Sequence, residues 1–286
     1  MLLGLNRLFK KPPHPFNMQL EGEKTYAEWQ FENGGRTIAF YLGRYTADEM
    51  FADKNVLDIG CGAGGKSLYY ASIGAKRVTG MDIVGHYEKE SAELAKKLGL
   101  SDKFGFVLGD AAKMPFGEAS FDTIIANDAM EHVADPAAVL CECMRVLAPG
   151  GRLYINFPPY NHPYGAHLSD LIGIPWVHVF FGEKSLIKGY KKLAADLPDG
   201  EKRIKLRISK RPDGGEYFSY INKMTIKKFK KLIVGLGLET EYYREERFVK
   251  VPVFKEYLTR MVVCVVQKQS NTKTGIEKGS ESQKNG

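Results

Sequence analysis

Small residues and carboxylates follow an apolar run near residue 60, and this arrangement could bind a nucleotide-like cofactor. Residues 55–59 read Asn-Val-Leu-Asp-Ile, which is typical of a parallel strand buried on both faces. Gly60 and Gly62 come next, and without a Cβ atom they allow the backbone to approach a ligand closely. A helix beginning near Gly64 would direct its N–H groups and positive dipole end at an anionic group.

Asp82 closes a second apolar run about twenty residues further on. At the end of a strand, its carboxylate is placed to accept hydrogen bonds from ribose hydroxyls. Gly60, Gly62 and Gly65 also satisfy the dinucleotide pattern G-x-G-x-x-G. These residues alone therefore leave open whether the cofactor is NAD or another nucleotide.

Four motifs in order favour one class of cofactor. Asp58 stands two positions before the first glycine, and three more segments follow along the chain: 109–111, 121–127 and 147–153. This succession resembles the class I methyltransferases that use S-adenosylmethionine (SAM), closely over residues 50–160 and loosely in the final strands. The resemblance implies SAM as cofactor and a doubly wound α/β fold with a mostly parallel, seven-stranded sheet.

The resemblance also implies a set of cofactor contacts at matching positions. Asp58 and the backbone of the glycine loop should hold the methionine end of SAM, and Asp82 should hold the ribose. Ile83 should pack on the adenine ring, which Asp110 and the Ala111 N–H would also contact, and Asn127 would lie near the sulfonium. The implied contacts are Asp58, Gly60, Cys61, Gly62, Asp82, Ile83, Asp110, Ala111 and Asn127. For Asp110 and Asn127, ordinary turn chemistry at a strand end is the alternative.

The elements that would position these residues alternate between strand and helix, which indicates a parallel sheet with helices on both faces. The pattern predicts strands near 55–59, 77–82, 104–108, 121–127, 151–157, 239–247 and 260–267, with helices near 65–73, 86–98, 136–147 and 225–236. Ligands of such sheets bind at the carboxyl ends of the strands. We expect an N-terminal extension at 1–50, a methyltransferase domain at 51–267 that includes an inserted lid at 158–222, and a disordered tail at 268–286.

His132 is the best candidate for a catalytic base, because it follows strand four beside the position expected for the sulfonium. Its usual pKa of about 6.5 suits proton removal near neutrality. In the other interpretation, Glu131 and His132 only orient the following loop. The run Asp128-x-x-Glu131-His132 is also similar to the Glu-x-x-Glu-His run of O-methyltransferases of ubiquinone biosynthesis, some of which use a divalent metal. Asp128, Glu131 and His132 could therefore bind Mg²⁺ or Zn²⁺, although solvated turn charges are favoured.

The predicted lid holds the residues most suited to contact an acceptor. Near the mouth of the site it offers four side chains as contacts or alternative bases: Tyr160, His162, Tyr164 and His167. An apolar run at 171–181 precedes several lysines, so 171–192 could meet a membrane surface or a lipid-like substrate. A lid helix packed on the sheet is the favoured interpretation of that run.

Basic residues are concentrated in the second half of the chain. Between positions 183 and 231 there are 15 Lys or Arg residues and 6 Asp or Glu residues, although the net charge of the whole chain is only +7. Residues 202–211 alternate charged and apolar side chains, which predicts a half-buried strand. This stretch lacks the interleaved aromatic residues that stack on bases, so nucleic acid is a disfavoured partner.

The cysteines and the hydropathy pattern concern the environment of the protein. The four cysteines show no C-x-x-C spacing, which favours a reduced, cytoplasmic compartment. No apolar stretch approaches the roughly twenty residues that a spanning helix needs. We therefore expect a methyltransferase that acts on a small organic or lipid-like acceptor, with oxygen favoured as the nucleophile. The alternatives are an RNA methyltransferase and a SAM-binding or NAD-binding protein without transfer activity.

Overall fold

A seven-stranded sheet forms the centre of the computed structural model, which describes residues 1–12, 14, 17, 24–249 and 254–270. Its strands are β1 (Asn55–Ile59), β2 (Arg77–Asp82), β3 (Phe104–Leu108), β4 (Phe121–Asn127), β5 (Leu147–Phe157), β8 (Thr240–Arg247) and β9 (Thr259–Gln267). They lie in the order β3-β2-β1-β4-β5-β9-β8. The first five are parallel, and β9 is antiparallel to both of its neighbours. The predicted fold class is confirmed.

Helices cover both faces of this sheet. One face carries α7 (Pro136–Val146) and α11 (Ile226–Gly235), and the other carries the last three helices before β1 together with α5 (Gly65–Ser72) and α6 (Tyr87–Lys97). The helices before β1 are α1 (Leu2–Asn6), α2 (Tyr26–Glu32), α3 (Gly34–Ile38) and α4 (Ala47–Phe51). Each face of the sheet therefore has its own hydrophobic cluster, built from alternate residues of the same strands.

Local sequence explains where several of these helices begin. Thr25 and Glu28 form a reciprocal capping box at the start of α2, and Thr46 and Glu49 do the same for α4. At α7 the Asp135 carboxylate accepts hydrogen bonds from two N–H groups of the first turn. The boundaries predicted for the helices agree with the structure to within about one residue at each end.

The insertion after β5 forms a small subdomain with its own core. It contains α8 (Val177–Phe180), α9 (Glu183–Ala194), α10 (Gly200–Arg207) and a hairpin of β6 (Ile208–Lys210) and β7 (Glu216–Phe218), and one further helix, α12 (Lys255–Leu258), precedes β9. Leu2 from the N-terminal helix α1 joins its hydrophobic cluster. None of the helices within the described residues is long and apolar enough to cross a membrane.

The strand predicted for residues 202–211 is wrong over most of its length. Residues 200–207 form helix α10, and only residues 208–210 are extended. Arg203 and Arg207 are four residues apart, so they share one face of this helix, and both are buried against Asp170. Because the buried face is made of arginines, the apolar residues do not mark the helical period.

The apolar run at 171–181 packs mainly inside the insertion and not on the central sheet. Leu171, Ile172 and Val177 belong to the insertion's own cluster, and within the run only residues 177–180 are helical. Val179 and Phe180 are exposed at the tip, Phe180 to 71%. The expected lid helix on the sheet is therefore corrected to a short helix on a separate core. From residue 271 onward the predicted tail lies outside the described residues.

Candidate active site

The glycine loop between β1 and α5 adopts the conformation that its sequence predicts. Gly60 and Gly62 have φ values of 67° and 57°, a region that favours glycine. The N–H groups of Gly60 and Cys61 donate to the Met81 carbonyl oxygen at 2.8 and 3.2 Å. These bonds tie the loop to the end of β2.

Asp82 holds the same loop through its carboxylate. Its Oδ2 accepts from the Gly62 N–H at 2.9 Å, and its Oδ1 accepts from the Val84 N–H at 2.9 Å. Ile83, which lies between Asp82 and Val84, is 74% exposed and presents an apolar surface beside the loop. The residues predicted for the ribose and the adenine therefore adjoin the glycine loop.

Asp58 lies beneath the loop. Its side chain is 2% exposed, and its Oδ2 accepts a hydrogen bond from the Ser67 hydroxyl of α5 at 2.6 Å. Burial raises the pKa of Asp58 to about 6, although the Ser67 bond and the positive charge of Lys66 oppose this effect. In this position Asp58 braces the loop against the first turn of α5.

Helix α2, which the sequence did not associate with the cofactor, covers the glycine loop. The Gln30 amide donates to the Cys61 carbonyl oxygen at 3.2 Å and accepts from the Gly65 N–H at 3.2 Å. A Cβ atom on Gly62 would come within 2.8 Å of Gln30 Nε2 and 3.3 Å of Tyr26 Cε1. The N–H of Gly65 thus bonds to Gln30, so the expectation that the first turn of α5 faces an anion is wrong for this group. The matching motifs begin only near residue 50 and gave no signal for Tyr26 or Gln30.

The remaining predicted cofactor residues lie at the carboxyl ends of β3 and β4. Asp110 follows β3, and its Oδ1 accepts from the Ala112 N–H at 2.9 Å, which is the turn bond that the sequence offered as an alternative. Ala111 between them is buried. The Asp110 turn therefore fixes the backbone that the resemblance assigns to the adenine.

Asn127 ends β4 and is buried to 3% exposure. Its Oδ1 accepts from the Tyr41 hydroxyl at 2.6 Å, and its amide nitrogen donates to the Tyr70 hydroxyl at 3.4 Å. Two tyrosines therefore fix the orientation of this side chain.

Asp128, the first residue after β4, is paired with a cation. Its carboxylate lies 3.2 Å from Lys66 Nζ of α5, and its backbone has a φ of 52°. The sequence favoured no metal here, and it grouped Asp128 with Glu131 and His132 only as an alternative ligand set. In the structure the charge of Asp128 is offset by Lys66, and within the described part of the chain the close group of metal-ligating side chains contains His167 in its place.

Glu131, His132 and His167 form the most unusual cluster of titratable groups in the site, which we call the Glu-His-His cluster. Oε1 of Glu131 lies 3.9 Å from Nε2 of His132 and 3.9 Å from Nε2 of His167. The Glu131 side chain is 4% exposed, and among the described residues neither of its oxygens has a hydrogen-bond partner. Burial raises the pKa of Glu131 well above its usual value, and the negative charge of Asp128 adds to the effect.

Two distant segments meet in this cluster. His132 comes from the loop after β4, and its ring lies 4.8 Å from the ring of His167 in the insertion. Burial lowers the pKa of His167 well below its usual value, and the neighbouring His132 adds to the effect. Tyr220 packs near both rings and bonds to His132 Nδ1 through its carbonyl oxygen at 2.7 Å. Tyr220 was missed by sequence reasoning, because no motif surrounds it.

The other three residues predicted to contact an acceptor lie apart from this cluster. The Tyr160 ring packs on His178 at a centroid distance of 4.7 Å. His162 Nδ1 accepts from the Tyr164 N–H at 3.0 Å, which closes a local turn. Of the four predicted side chains, the structure brings His167 into the Glu-His-His cluster and leaves Tyr160, His162 and Tyr164 in the wall of the insertion.

Comparisons with known proteins agree with this geometry. A family model described as a methyltransferase domain matches residues 57–155. A sterol 24-C-methyltransferase (ERG6B) of Gibberella zeae is 43% identical over 96 residues, which are 34% of this chain and 25% of that protein. A probable chloroplastic tocopherol O-methyltransferase of Oryza sativa subsp. japonica is 37% identical over 102 residues, 36% of this chain and 28% of that protein. The chain thus spans about a quarter of the length of these relatives.

Solved structures extend the similarity over most of the chain. A SAM-dependent methyltransferase from Methanosarcina mazei is 25% identical, with a TM-score of 0.51, and the match covers 78% of this chain and 96% of that one. The [4+2]-cyclase SpnF shares the fold at 16% identity, with a TM-score of 0.54 and coverage of 87% and 86%. Residues 57–155 thus match a methyltransferase domain, and the sheet order over most of the chain is similar to that of a SAM-dependent methyltransferase.

Proposed function

We propose that this protein transfers the methyl group of SAM to an oxygen atom of a small organic acceptor of apolar or lipid-like character. The observation that carries the proposal is the Glu-His-His cluster. Two of its residues, Glu131 and His132, follow β4 on the same sheet edge at which the glycine loop follows β1. The match of residues 57–155 to a methyltransferase domain supports SAM as the cofactor, and the cluster supplies groups that can act on an acceptor hydroxyl.

The residues along this edge fit SAM. We assign Asp82 to the ribose hydroxyls, Ile83 to one face of the adenine, and Asp110 with the Ala111 N–H to the adenine edge. The N–H groups of Gly60, Cys61 and Gly62 are already bonded within the protein, so we do not assign them to the carboxylate of SAM. The Gly60 carbonyl oxygen is our candidate acceptor for the ammonium of SAM. Asp58 and Asn127 act as positioning residues for the loop and for the region near the sulfonium.

SAM supplies an electrophilic methyl group whose carbon–sulfur bond breaks with its electron pair passing to sulfur. What the protein must do is hold the acceptor oxygen in line with that bond and remove its proton. We assign removal of the proton to the Glu-His-His cluster, in which Glu131 and His132 are the catalytic residues predicted from the sequence. His167 extends the cluster from the insertion, so the insertion shapes both the acceptor pocket and the chemistry.

An apolar acceptor agrees with the surroundings of the cluster. A cavity of about 210 Å³ in the insertion is lined by the apolar and aromatic side chains of Tyr160, Ala166, His178, Phe181, Leu186, Phe218 and Ile221, together with the ion pair of Glu183 and Lys223. Ala166 precedes His167, and Ile221 follows Tyr220, so two walls of the cavity adjoin the cluster along the chain. We propose that this cavity receives the apolar part of the acceptor, with Tyr160 in its wall and His162 and Tyr164 in the adjoining turn. The sterol and tocopherol methyltransferases among the relatives support this class of acceptor.

We also propose that residues 171–192 contact a membrane surface, and we assign this contact to the exposed tip of the segment. The exposed residues at the tip are Val179 and Phe180, and α9 beside them carries three exposed lysines: Lys184, Lys188 and Lys192. An apolar tip next to cations suits an anionic interface.

An RNA acceptor is disfavoured by the same structure. Arg203 and Arg207 are buried with Asp170, so they cannot contact phosphates. Lys223 pairs with Glu183, and Lys230 pairs with Glu245. Several of the charges that made the stretch basic are therefore used within the protein.

Methyl-labelled SAM and an extract of the source organism provide the test. After incubation with the purified protein, the label is partitioned among lipid, aqueous small-molecule, RNA and protein fractions, and the labelled product is analysed for an O-methyl group. We expect label in the lipid or small-molecule fraction. Label in RNA would overturn the proposal, and so would binding of SAM with no transfer to any fraction.

Variants of two glutamates sharpen this experiment. Glu131→Gln keeps the shape of the side chain but cannot ionise, and we expect a loss of transfer of about 10²- to 10⁴-fold with SAM binding retained. Glu142→Gln is the matched control, because Glu142 pairs with Arg145 on α7 and has no place in the cluster. If Glu131→Gln transfers the methyl group as fast as Glu142→Gln, the cluster has no role in removing the acceptor proton.

A further inference from the structure

The Glu131 carboxylate has an environment that the described part of the chain does not satisfy. It is 4% exposed, and within the described residues neither oxygen has a hydrogen-bond partner. The nearest basic side chain of the glycine-loop region, Lys66, is directed to Asp128. Buried carboxylates are normally paired, hydrogen-bonded or bound to a metal. A bound cation would supply the partner that the described residues do not.

Two imidazole nitrogens face the same oxygen. His132 Nε2 and His167 Nε2 each lie 3.9 Å from Glu131 Oε1, and the two rings are nearly perpendicular, at 88°. His132 Nδ1 lies 2.7 Å from the Tyr220 carbonyl oxygen. A carbonyl oxygen only accepts hydrogen bonds, so Nδ1 carries the hydrogen. In the neutral ring, Nε2 therefore keeps the lone pair that can bind an ion. Metal-binding histidines are commonly held in this way by a backbone carbonyl.

The spacing of the three side chains is close to that of a metal site. One ligand atom from each lies within 4.8 Å of the other two. Two ligands of one ion with bonds of about 2.0–2.2 Å are separated by roughly 3–3.5 Å. The cluster would therefore close onto an ion by shifts of about 0.5–1.5 Å.

We propose that Glu131, His132 and His167 bind one divalent transition-metal ion of the Zn²⁺ class. Two of the three donors are imidazole nitrogens, a set that favours Zn²⁺ or Co²⁺ over Mg²⁺ and Mn²⁺, which are better suited to oxygen ligands. This ligand set differs from Asp128, Glu131 and His132, the set that the sequence offered as an alternative, because His167 of the insertion replaces Asp128. Metal binding stands on this geometry alone, whereas the role of the ion rests on the proposed function.

That role follows from the number of ligands. Three protein ligands leave a coordination position open, as is usual in catalytic sites. An ion there would place positive charge beside the acceptor oxygen and lower the pKa of its hydroxyl, so the cluster would promote loss of the proton to solvent through the ion and not as a free base. The oxygen then forms a bond to the methyl carbon while the carbon–sulfur bond breaks toward sulfur.

Direct binding measurements on the full chain test the site without any acceptor. The protein is treated with a chelator, dialysed, and titrated with Zn²⁺ and then Co²⁺ by calorimetry, and the visible absorption of bound Co²⁺ is recorded. We expect one equivalent of either ion per chain and no competition from a large excess of Mg²⁺. Absence of stoichiometric Zn²⁺ and Co²⁺ binding would overturn the inference.

Matched variants locate the ion. His167 has a φ of 51°, which asparagine tolerates better than alanine, so His167→Asn is the appropriate variant. We expect this variant and Glu131→Gln to weaken Zn²⁺ binding by at least tenfold, with unchanged circular dichroism. His86→Ala is the control, because it also removes one imidazole, and His86 packs on Tyr87 at a centroid distance of 4.4 Å with no place in the cluster or in the cavity. Equal loss in the control, or no loss in the cluster variants, would refute the assignment.

Transfer activity separates this inference from the proposed function. If the chelated protein binds no metal and still methylates its acceptor, with Glu131→Gln inactive, the proposed function stands and the metal site is refuted. If Zn²⁺ binds at the cluster and no fraction of the extract is methylated, the metal site stands and the proposed function falls.

Discussion

Replacement of Asp82 tests the cofactor site most directly. In Asp82→Ala, the Gly62 and Val84 N–H groups both lose a carboxylate acceptor at 2.9 Å. Hydrogen bonds to a charged group contribute about 1.5–3 kcal/mol each, and water can replace part of this because Asp82 is only half-buried. With the proposed ribose contacts also lost, we expect SAM binding to weaken by about 1–3 kcal/mol, which is roughly 5- to 150-fold.

Calorimetric titration with SAM measures this effect, and two further variants interpret it. Asp82→Asn keeps one oxygen acceptor for the loop, so we expect an affinity between those of the wild type and the alanine variant. Asp122→Ala removes a similar bond, from the Asn55 N–H to a carboxylate at 2.9 Å, at the opposite end of β1. It should lower the stability and leave SAM affinity unchanged. Wild-type affinity in Asp82→Ala would refute the placement of the cofactor on this loop.

Three further predictions concern the glycine loop, Asp58 and the insertion. Gly62→Ala should reduce SAM affinity at least tenfold in the same titration, because the new Cβ meets Gln30 and the backbone has a φ of 57°; wild-type affinity would contradict this packing. Burial raises the pKa of Asp58 to about 6 in the folded protein, above its usual 3.8, so the folded state holds the proton more tightly than the unfolded state. The free energy of unfolding should therefore fall as pH rises from about 4 to 6. Urea unfolding should show that Asp58→Asn flattens this dependence and gains up to about 3 kcal/mol at pH 7, whereas an unchanged pH profile would assign the effect to other groups. Asp170→Ala leaves Arg203 and Arg207 buried without the carboxylate that both contact, so thermal unfolding should show a loss of about 3–5 kcal/mol, and an unchanged Tm would show that other contacts suffice.

The central sheet was predictable because each of its strands carries its own signal. Residues 55–59, 77–82, 104–108 and 121–127 are short apolar runs between turn residues, and each forms a strand with those bounds. Parallel topology brings the carboxyl ends of these strands to one edge, so the sequence predicts that the candidate cofactor residues lie close together. The first five strands needed no information from distant parts of the chain.

The insertion could not be predicted in the same way, because its core is partly polar. The alternating pattern at 202–211 indicated a strand, whereas the residues that decide the structure are Arg203 and Arg207, whose burial depends on Asp170 more than thirty positions earlier. The meeting of His167 with Glu131 has the same origin. Each residue is conspicuous in the sequence, but the contact between them depends on how the insertion folds back over β4.

The packing of helix α2 on α5 affects where this protein can be divided. A Cβ on Gly65 would lie 2.0 Å from the Ala27 carbonyl oxygen, so the two helices fit together only because that position is glycine. Gln30 of the same helix bonds to both ends of the glycine loop. A fragment cut at residue 51, where the recognisable motifs begin, would lose this cover. The module that must be transplanted intact therefore starts well upstream of strand β1, at the capping residue Thr25.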